Sequence, residues 1–368
     1  MDASRPSLVP ALPEPTVVEP ALDAPNDHGV RRFVPPRGEE ILSVSTSPDG
    51  EELVAVTGTH VYPFDATGHV ARVAELPGVH LAPVALALSG HRAAVLVKAP
   101  IEQPEGRLYL FDTQTGKLVH QEFLGGVPAL GVALAGDLFA VVLSNPPAVV
   151  VYDAAAKKRV AEFDAPAGPR RVERAADGSW AALATTSGVM LLEVDSGHVA
   201  ARRLELAFAR VVPQEALPIG DVVLVTGREG GAPVALVVPR RGGEPRRLAV
   251  GSGNLLGMAR SADGSRAIVF GSAAGREQAY VFDSTTWAPL GAVAAAPTLA
   301  GRTAVAVGSR LIVPRCHDTV VVDPTAMTVV PDQAFPSPQE GPCLDGLYLV
   351  GARLFAREGS RLLSWTLL

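Results

Sequence analysis

Short apolar runs alternate with polar turns along most of the chain, and this alternation repeats with a period of about 43 residues. Each copy holds an apolar run, a tight turn, a second run, a loop, a third run that often ends in Asp, and a Gly-containing turn. The first turn of the eight copies falls at Gly50, Gly90, Gly136, Gly178, Gly220, Gly264, Gly308 and Gly351. Glycine supplies the positive φ that tight hairpins require. The pattern therefore predicts an all-β chain.

A repeat of this length built from short strands is typical of a β-propeller, in which each copy forms one four-stranded blade. We predict a single propeller domain over residues 29–368, with eight blades. The uneven step of 46 residues between Gly90 and Gly136, together with a degenerate fifth copy, leaves seven blades plus an accessory element as the alternative.

The eighth copy is truncated, because the chain stops after its third run at Arg361–Leu368. An unpaired sheet edge is costly, so we expect Val30–Val34 to become the outer strand of this last blade and to close the ring. Residues 1–28 are rich in proline and are predicted to form an extended or disordered arm. This arm either delivers the closing strand or acts as a docking peptide.

Three segments carry a resemblance to known repeats: SPDGEELVAV at Ser47–Val56, SADGSRAIVF at Ser261–Phe270 and LYLFDTQTGKLV at Leu108–Val119. They resemble the repeat of the YVTN and WD-like propellers, in a divergent bacterial form, and the resemblance covers roughly Val30 to Leu368. A looser resemblance is to bacterial propellers that accompany AAA+ ATPase or adhesion-type modules. It implies a protein partner of one of those two classes within a multi-component system.

Composition and charge narrow the function further. Although 48% of the residues are hydrophobic, no stretch reaches the ~18 apolar residues of a membrane span. The net charge of −6 and the aromatic content of 5% disfavour nucleic-acid binding. The first residues lack the pattern of a secretory signal, and two cysteines are too few for a disulfide framework. We therefore expect a cytoplasmic protein.

Candidate binding residues lie in the loops between the second and third strands, since loops at a propeller rim vary freely on a rigid scaffold. Four consecutive blades carry an arginine there, and three of the four are followed by Glu. One interpretation is an arc of guanidinium groups for an acidic peptide, phosphate or carboxylate. The other is a self-paired Arg-Glu rim. The binding residues predicted on the first interpretation are Arg228, Arg276, Arg315, His317 and Arg357.

Other polar residues are assigned mainly to the scaffold. Cys316, His317 and Asp318 are contiguous, which argues against a catalytic triad because neighbours in a strand face opposite ways. Cys343 and Cys316 are interpreted as two partly buried cysteines rather than a metal or redox pair. The recurrent aspartates are predicted to act as acceptors within turns: Asp65, Asp112, Asp153, Asp195, Asp283 and Asp323.

The inner strand of blade 4 is the exception among mostly apolar inner strands, because Arg170, Arg171, Glu173 and Arg174 can place charge at the channel. No residue set marks a catalytic centre, a metal site or a cofactor site. The predicted function is a monomeric, non-catalytic scaffold that binds another protein. The alternative is a small-molecule hydrolase or lactonase-like enzyme whose channel-mouth site holds a divalent ion; its candidate residues are His60, Glu105, His317, Asp318 and Asp345.

Overall fold

Eight four-stranded antiparallel sheets make up the molecule. The computed structural model describes residues 30–77, 81–98, 106–204, 211–273, 276–294, 304–314, 318–330, 335 and 343–367. Within these ranges, helical structure is confined to one 3-10 turn, Pro36–Gly38. The prediction of eight blades is confirmed, and the seven-blade alternative is wrong. The proposed arm, residues 1–28, lies outside the described residues.

Blades 1 to 3 follow the predicted grammar, with the strands of each sheet paired in chain order. Blade 1 contains β2 (Ser43–Thr46), β3 (Glu52–Val56), β4 (His60–Asp65) and β5 (Ala74–Glu75). Blade 2 contains β6 (Leu81–Leu88), β7 (Arg92–Lys98), β8 (Gly106–Asp112) and β9 (Lys117–Phe123). Blade 3 contains β10 (Val127–Ala133), β11 (Leu138–Asn145), β12 (Pro147–Asp153) and β13 (Lys158–Asp164).

Blades 4 to 6 continue the same order. Blade 4 contains β14 (Pro169–Arg174), β15 (Trp180–Thr185), β16 (Gly188–Asp195) and β17 (His198–Leu204). Blade 5 contains β18 (Val211–Ile219), β19 (Val222–Glu229), β20 (Ala232–Pro239) and β21 (Arg246–Arg247). Blade 6 contains β22 (Leu255–Arg260), β23 (Arg266–Ala273), β24 (Arg276–Asp283) and β25 (Pro289–Ala294).

The last two blades bring the chain back to its beginning. Blade 7 contains β26 (Val305–Val307), β27 (Arg310–Pro314), β28 (Thr319–Asp323) and β29 (Thr328–Val330). Blade 8 contains β30 (Leu344–Val350), β31 (Arg353–Glu358) and β32 (Arg361–Thr366), and its fourth strand is β1 (Arg31–Phe33) from the N-terminal side. Phe33 pairs with Leu362 in antiparallel register. The predicted closure of the ring is thus confirmed.

The hydrophobic core lies between neighbouring blades rather than at one centre. Each buried cluster draws side chains from two adjacent sheets, and one such cluster fills each junction around the ring. At the closing junction, Phe33 of blade 8 packs edge-on against Tyr62 and Phe64 of blade 1, with ring centroids 5.1 and 5.0 Å apart. Blade-to-blade packing therefore holds the scaffold rigid around its axis.

The recurrent aspartates serve the turns, as predicted. Asp65 Oδ1 accepts hydrogen bonds from the Thr67 amide at 2.9 Å and the Thr67 hydroxyl at 2.6 Å. Asp112 accepts the equivalent pair from Thr115, at 2.7 Å each. These bonds lower the pKa of both carboxyl groups, even though partial burial acts to raise it. The repeated Asp therefore stabilises the turns of the blades.

Two local features stand out. The outer strand of blade 1 is short, since only Ala74 and Glu75 pair regularly with β4. Cys343 is disulfide-bonded, whereas the sequence was interpreted as holding two partly buried thiols. Cys316 lies outside the described residues. Among the described residues, no helix is long and apolar enough to cross a bilayer.

Candidate functional site

Arg228 forms hydrogen bonds that hold a loop on the predicted rim. Its guanidinium donates to the Gly231 carbonyl at 2.9 Å and to Asn254 Oδ1 at 2.8 Å. The adjacent Glu229 accepts from Arg247 instead of pairing with Arg228. Arg228 is exposed, but these two bonds tie it to blade 5 and to the segment that leads into blade 6.

Arg357 lies in the same loop position of blade 8, and it too is engaged by backbone. Its guanidinium donates to the Leu42 carbonyl at 2.9 Å and to the Ile41 carbonyl at 3.3 Å, in the segment that leads into blade 1. Burial lowers the pKa of Arg357. Arg276 begins β24, but its side chain is outside the description, and Arg315 and His317 lie outside the described residues. The arginine arc therefore stays a prediction.

His60, a candidate residue of the alternative enzyme site, belongs to a hydrogen-bonded group that includes the segment leading into blade 1. His60 Nδ1 lies 2.7 Å from Thr59 Oγ1 and 3.4 Å from Glu39 Oε2. Glu39 also accepts from the hydroxyls of Thr57 and Thr59, at 2.5 and 2.6 Å. These bonds lower the pKa of Glu39 against the opposing effect of its burial. The group fixes the loop before β2.

The remaining members of that enzyme site are only partly described. Asp318 precedes β28 in blade 7, and Asp345 lies within β30, where its side chain is outside the description. Glu105 and His317 lie outside the described residues. In the described part of the chain, no three His, Cys, Asp or Glu side chains are grouped so that they could hold a metal ion.

A cavity of about 340 Å³ with mixed polar and apolar walls opens in the central channel, on the side formed by blades 4 to 7. Its walls come from the first strands of these blades and from the turns that follow them. We call the face that carries these turns the turn face; the loops of Arg228 and Arg357 lie at the other ends of the strands. The lining residues are Arg171, Glu173, Ala176, Glu215, Leu217, Met258, Ala259, Arg260, Ser261, Ala262, Ala304 and Ala306.

One charged group of this cavity is neutralised by its own neighbours. Arg171 Nε contacts Glu173 Oε1 at 2.7 Å, and Arg171 NH1 contacts Glu215 Oε1 at 2.7 Å. Burial acts to lower the pKa of Arg171, but the two carboxylates raise it overall. Burial also raises the pKa of Glu215, despite the opposing charge of Arg171. The three side chains form an ion-paired bridge between blades 4 and 5.

Two further arginines at the turn face have no such partner. Arg174 donates to the Pro48 carbonyl of blade 1 at 2.8 Å, so its side chain extends from blade 4 across the channel. Arg260 donates to the Pro218 carbonyl of blade 5 at 2.8 Å. Neither forms an ion pair with a described carboxylate within 4.0 Å. We call Arg174 and Arg260 the channel arginines.

Burial opposes the charge of the channel arginines, whereas nearby carboxylates favour it. Burial lowers the pKa of Arg174, and the positive charge of Arg260 lowers it further. Burial is likewise the main cause that lowers the pKa of Arg260. A partly buried charge without an ion-pair partner is costly for folding, and groups with perturbed pKa values cluster at binding and catalytic sites.

Sequence reasoning found part of this site. It singled out Arg171, Glu173 and Arg174, and the structure places all three at the channel; Arg170 is exposed. It missed Glu215 and Arg260. A signal for Arg260 exists, because Arg174-Ala-Ala-Asp-Gly178 and Arg260-Ser-Ala-Asp-Gly264 share one pattern two blades apart. Glu215 has no comparable signal, since only the packing of blade 5 on blade 4 brings it to Arg171.

The chemical capacity of the cavity follows from these contacts. Its carboxylates are committed to Arg171, and the hydroxyl of Ser261 donates to Asp263 Oδ1 at 2.6 Å in its own turn. What remains available is the hydrogen-bonding capacity of guanidinium groups, which stay protonated in proteins and so do not act as a general base or nucleophile. In the described part of the cavity, the polar groups that remain available are therefore hydrogen-bond donors rather than bases.

Comparisons with known proteins agree on the fold. No protein-family model matches the chain, and no curated protein matches it either. Among solved structures, the dihydro-heme d1 dehydrogenase NirN in complex with DHE is 17% identical, with a TM-score of 0.61; the match covers 92% of this chain and 78% of that one. BamB from Moraxella catarrhalis is 14% identical, with a TM-score of 0.61, and 91% and 98% of the two chains are covered.

The β-propeller domain of Cps50 (Swd1) from Myceliophteria thermophila gives a similar result. It is 12% identical, with a TM-score of 0.56, and the match covers 89% of this chain and 97% of that domain. At these identities, the likeness is one of fold. One of the three structures is named as a dehydrogenase and another as a propeller domain, so the fold alone does not select a function. The chain is an eight-bladed β-propeller of divergent sequence.

Proposed function

We propose that the chain is a non-catalytic scaffold that binds another protein. The observation that carries this proposal is the division of charge in the channel. Arg171 ion-pairs with both Glu173 and Glu215, whereas the guanidinium groups of Arg174 and Arg260 are held only by backbone carbonyls. Guanidinium groups recognise anions but do not exchange protons near neutral pH. Binding is therefore favoured over acid-base chemistry.

The packing of the ring supports the same function. Buried apolar clusters lock each blade to the next, so the two faces of the disc present their loops and turns on a rigid frame. Such a frame holds binding groups in place at little entropic cost on association. The hydrolase or lactonase alternative has no comparable support, because among its candidate residues His60 is engaged within its own loop.

Partner class and location belong to this proposal as well. A subunit role beside an ATPase or adhesion-type module rests on sequence resemblance, and the cytoplasmic location stays a prediction. The disulfide of Cys343 is relevant to that location, since disulfides persist mainly in oxidising compartments. Thiol titration of the denatured chain, with and without prior reduction, would measure whether this bond forms in the native environment.

The scaffold function is tested by two measurements on the purified full chain. The first is light scattering after size exclusion, with a partner recovered by affinity capture; we expect a complex of fixed stoichiometry. The second is turnover of a panel of lactones and aryl esters; we expect no rate above that of buffer. Turnover that is abolished by R171M/E215L, without a stoichiometric complex, would overturn the proposal in favour of the enzyme.

A further inference from the structure

The channel arginines occupy equivalent places on inner strands two blades apart. Each ends its strand, at β14 and β22, and each begins the same pattern of Arg, a small residue, Ala, Asp and Gly. Each uses its side chain for one hydrogen bond to a backbone carbonyl, at 2.8 Å. The other N–H groups of both guanidinium groups have no partner in the described part of the chain, and Arg260 lines the cavity.

Among the described residues, the two nearby aspartates form no direct ion pair with the channel arginines. Asp177 accepts from the amide of Ser179 at 3.0 Å and from its hydroxyl at 2.9 Å. Asp49 is held in the same way by Ser47 and Glu51 in the turn of blade 1. Both carboxylates are therefore hydrogen-bonded within their own hairpins, although the charge of Asp177 acts on both channel arginines and that of Asp49 acts on Arg174.

The charges around the channel arginines indicate which anion fits. The carboxylates of Glu173 and Asp177 act on both arginines, and that of Asp49 acts on Arg174. These carboxylates repel a phosphate dianion more strongly than they repel a single carboxylate. The volume of about 340 Å³ suits a group as small as an acidic side chain or a short organic acid.

We propose that Arg174 and Arg260 form a binding site for one carboxylate group at the turn face of the channel. This inference rests on the proposed scaffold function, because the source of the carboxylate is then an acidic side chain or the C-terminus of the partner protein. A free carboxylic acid presents the same chemistry. Two planar guanidinium groups can clamp one carboxylate through several charge-assisted hydrogen bonds.

Isothermal titration at low ionic strength tests the site with two probes, free glutarate and a capped tetraglutamate peptide. The test variant is R174Q/R260Q. Its matched control is R203Q/R241Q, which removes the same charge from two exposed positions on β17 and in the turn after β20. We expect the test variant to bind at least about tenfold more weakly than wild type, and the control to bind unchanged. R174K/R260K should lie between them, since it keeps charge but loses the planar fork.

The outcomes distinguish a partner segment from a free acid as the source of the carboxylate. They also distinguish failure of the carboxylate site from failure of the scaffold function. Binding of peptide but not glutarate assigns the site to a partner segment, and tighter binding of glutarate assigns it to a free acid. Equal weakening in both double variants would mean non-specific attraction and would overturn the site. Failure of both probes to bind wild type would also overturn it, while a stoichiometric protein complex would still support the scaffold function. Thermal unfolding of each variant verifies that the ring is intact.

Discussion

Arg171 is the residue that holds two channel carboxylates, those of Glu173 and Glu215. Its side chain is 21% exposed and that of Glu215 is 15% exposed, so both charges lie mostly out of water. Breaking such a pair from one side leaves an uncompensated buried charge, which costs more than the pair itself contributes. The bridge between blades 4 and 5 is therefore expected to respond very differently to single and double replacement.

We predict that R171M lowers the free energy of unfolding by about 2 kcal/mol, because Glu173 and Glu215 are left facing each other. The double variant R171M/E215L should recover most of that loss. The penalty of R171M should also shrink as the pH is lowered, since Glu215, whose pKa is already raised, takes up a proton. Urea denaturation of the three chains at several pH values measures this, and equal stability of R171M and wild type at neutral pH would contradict it.

Arg260 is expected to behave in the opposite way. It lies beside the same cavity, but it has no described carboxylate partner, and burial disfavours its charge. We predict that R260M leaves the free energy of unfolding within about 0.5 kcal/mol of wild type, because the lost hydrogen bond to Pro218 is offset by relief of desolvation. Denaturant unfolding compares it directly with R171M. A loss as large as that of R171M would show that Arg260 is structural.

At the scale of elements, the closing strand β1 has three residues, yet it completes blade 8. Its stability comes from Phe33, which is fully buried among aromatic rings of blade 1. We predict that F33A costs about 3 to 4 kcal/mol, as expected for truncation of a buried phenylalanine. F123A is the matched control, because Phe123 on the outer strand β9 is 56% exposed; equal effects of the two variants on denaturant unfolding would contradict the role of β1.

Gly106, the first residue of β8, packs against the segment that leads from blade 2 into blade 3 and leaves no room there for a side chain. A Cβ atom at Gly106 would collide with the ring of Pro128 and approach the Gly126 carbonyl oxygen to 2.6 Å. We predict that G106A lowers the free energy of unfolding by about 2 kcal/mol or more. G58A serves as the control, since a Cβ there meets nothing within 4 Å. The prediction fails if both variants have the same midpoint of thermal unfolding.

The strands and their order in the ring are the features that the sequence predicts best. Strand period, turn chemistry and the missing outer strand of the last copy are local signals, and they predicted eight blades closed by a segment near Val30–Val34. The channel charges depend instead on which blades face each other. Arg171 and Glu215 are 44 positions apart and meet across a blade junction, so a sequence read copy by copy does not reveal the pair. The rim arginines were found from their shared loop position, but that position does not reveal that Arg357 is engaged by backbone carbonyls.

The whole molecule should be sensitive to acid through its turns. The carboxylates of Asp65, Asp112 and Asp177 have lowered pKa values, and hydrogen bonds from Ser261 and Ser265 lower the pKa of Asp263 from 3.8 to about 2. Stability from such groups is complete above the unfolded-state pKa and is lost as the pH falls through the folded-state pKa. We predict that D263N is less stable than wild type at neutral pH, and that this difference fades between pH 3.8 and about 2.

Denaturant unfolding over that pH series provides the measurement for Asp263. The control is D164N, at an exposed position at the end of β13. Its difference from wild type should stay small throughout. A difference between D263N and wild type that grows as the pH falls would contradict the sign of the effect.

The central claim at the scale of the molecule is that this ring binds a protein and that the turn face of its channel takes part. The most direct measurement is quantitative affinity capture from the source organism with three full-length baits: wild type, R174Q/R260Q and R203Q/R241Q. We predict one partner that wild type and R203Q/R241Q retain in equal, stoichiometric amounts and that R174Q/R260Q retains at least about tenfold less. Recovery of no stoichiometric partner by wild type would contradict the scaffold function. Equal recovery by all three baits would remove the channel from it.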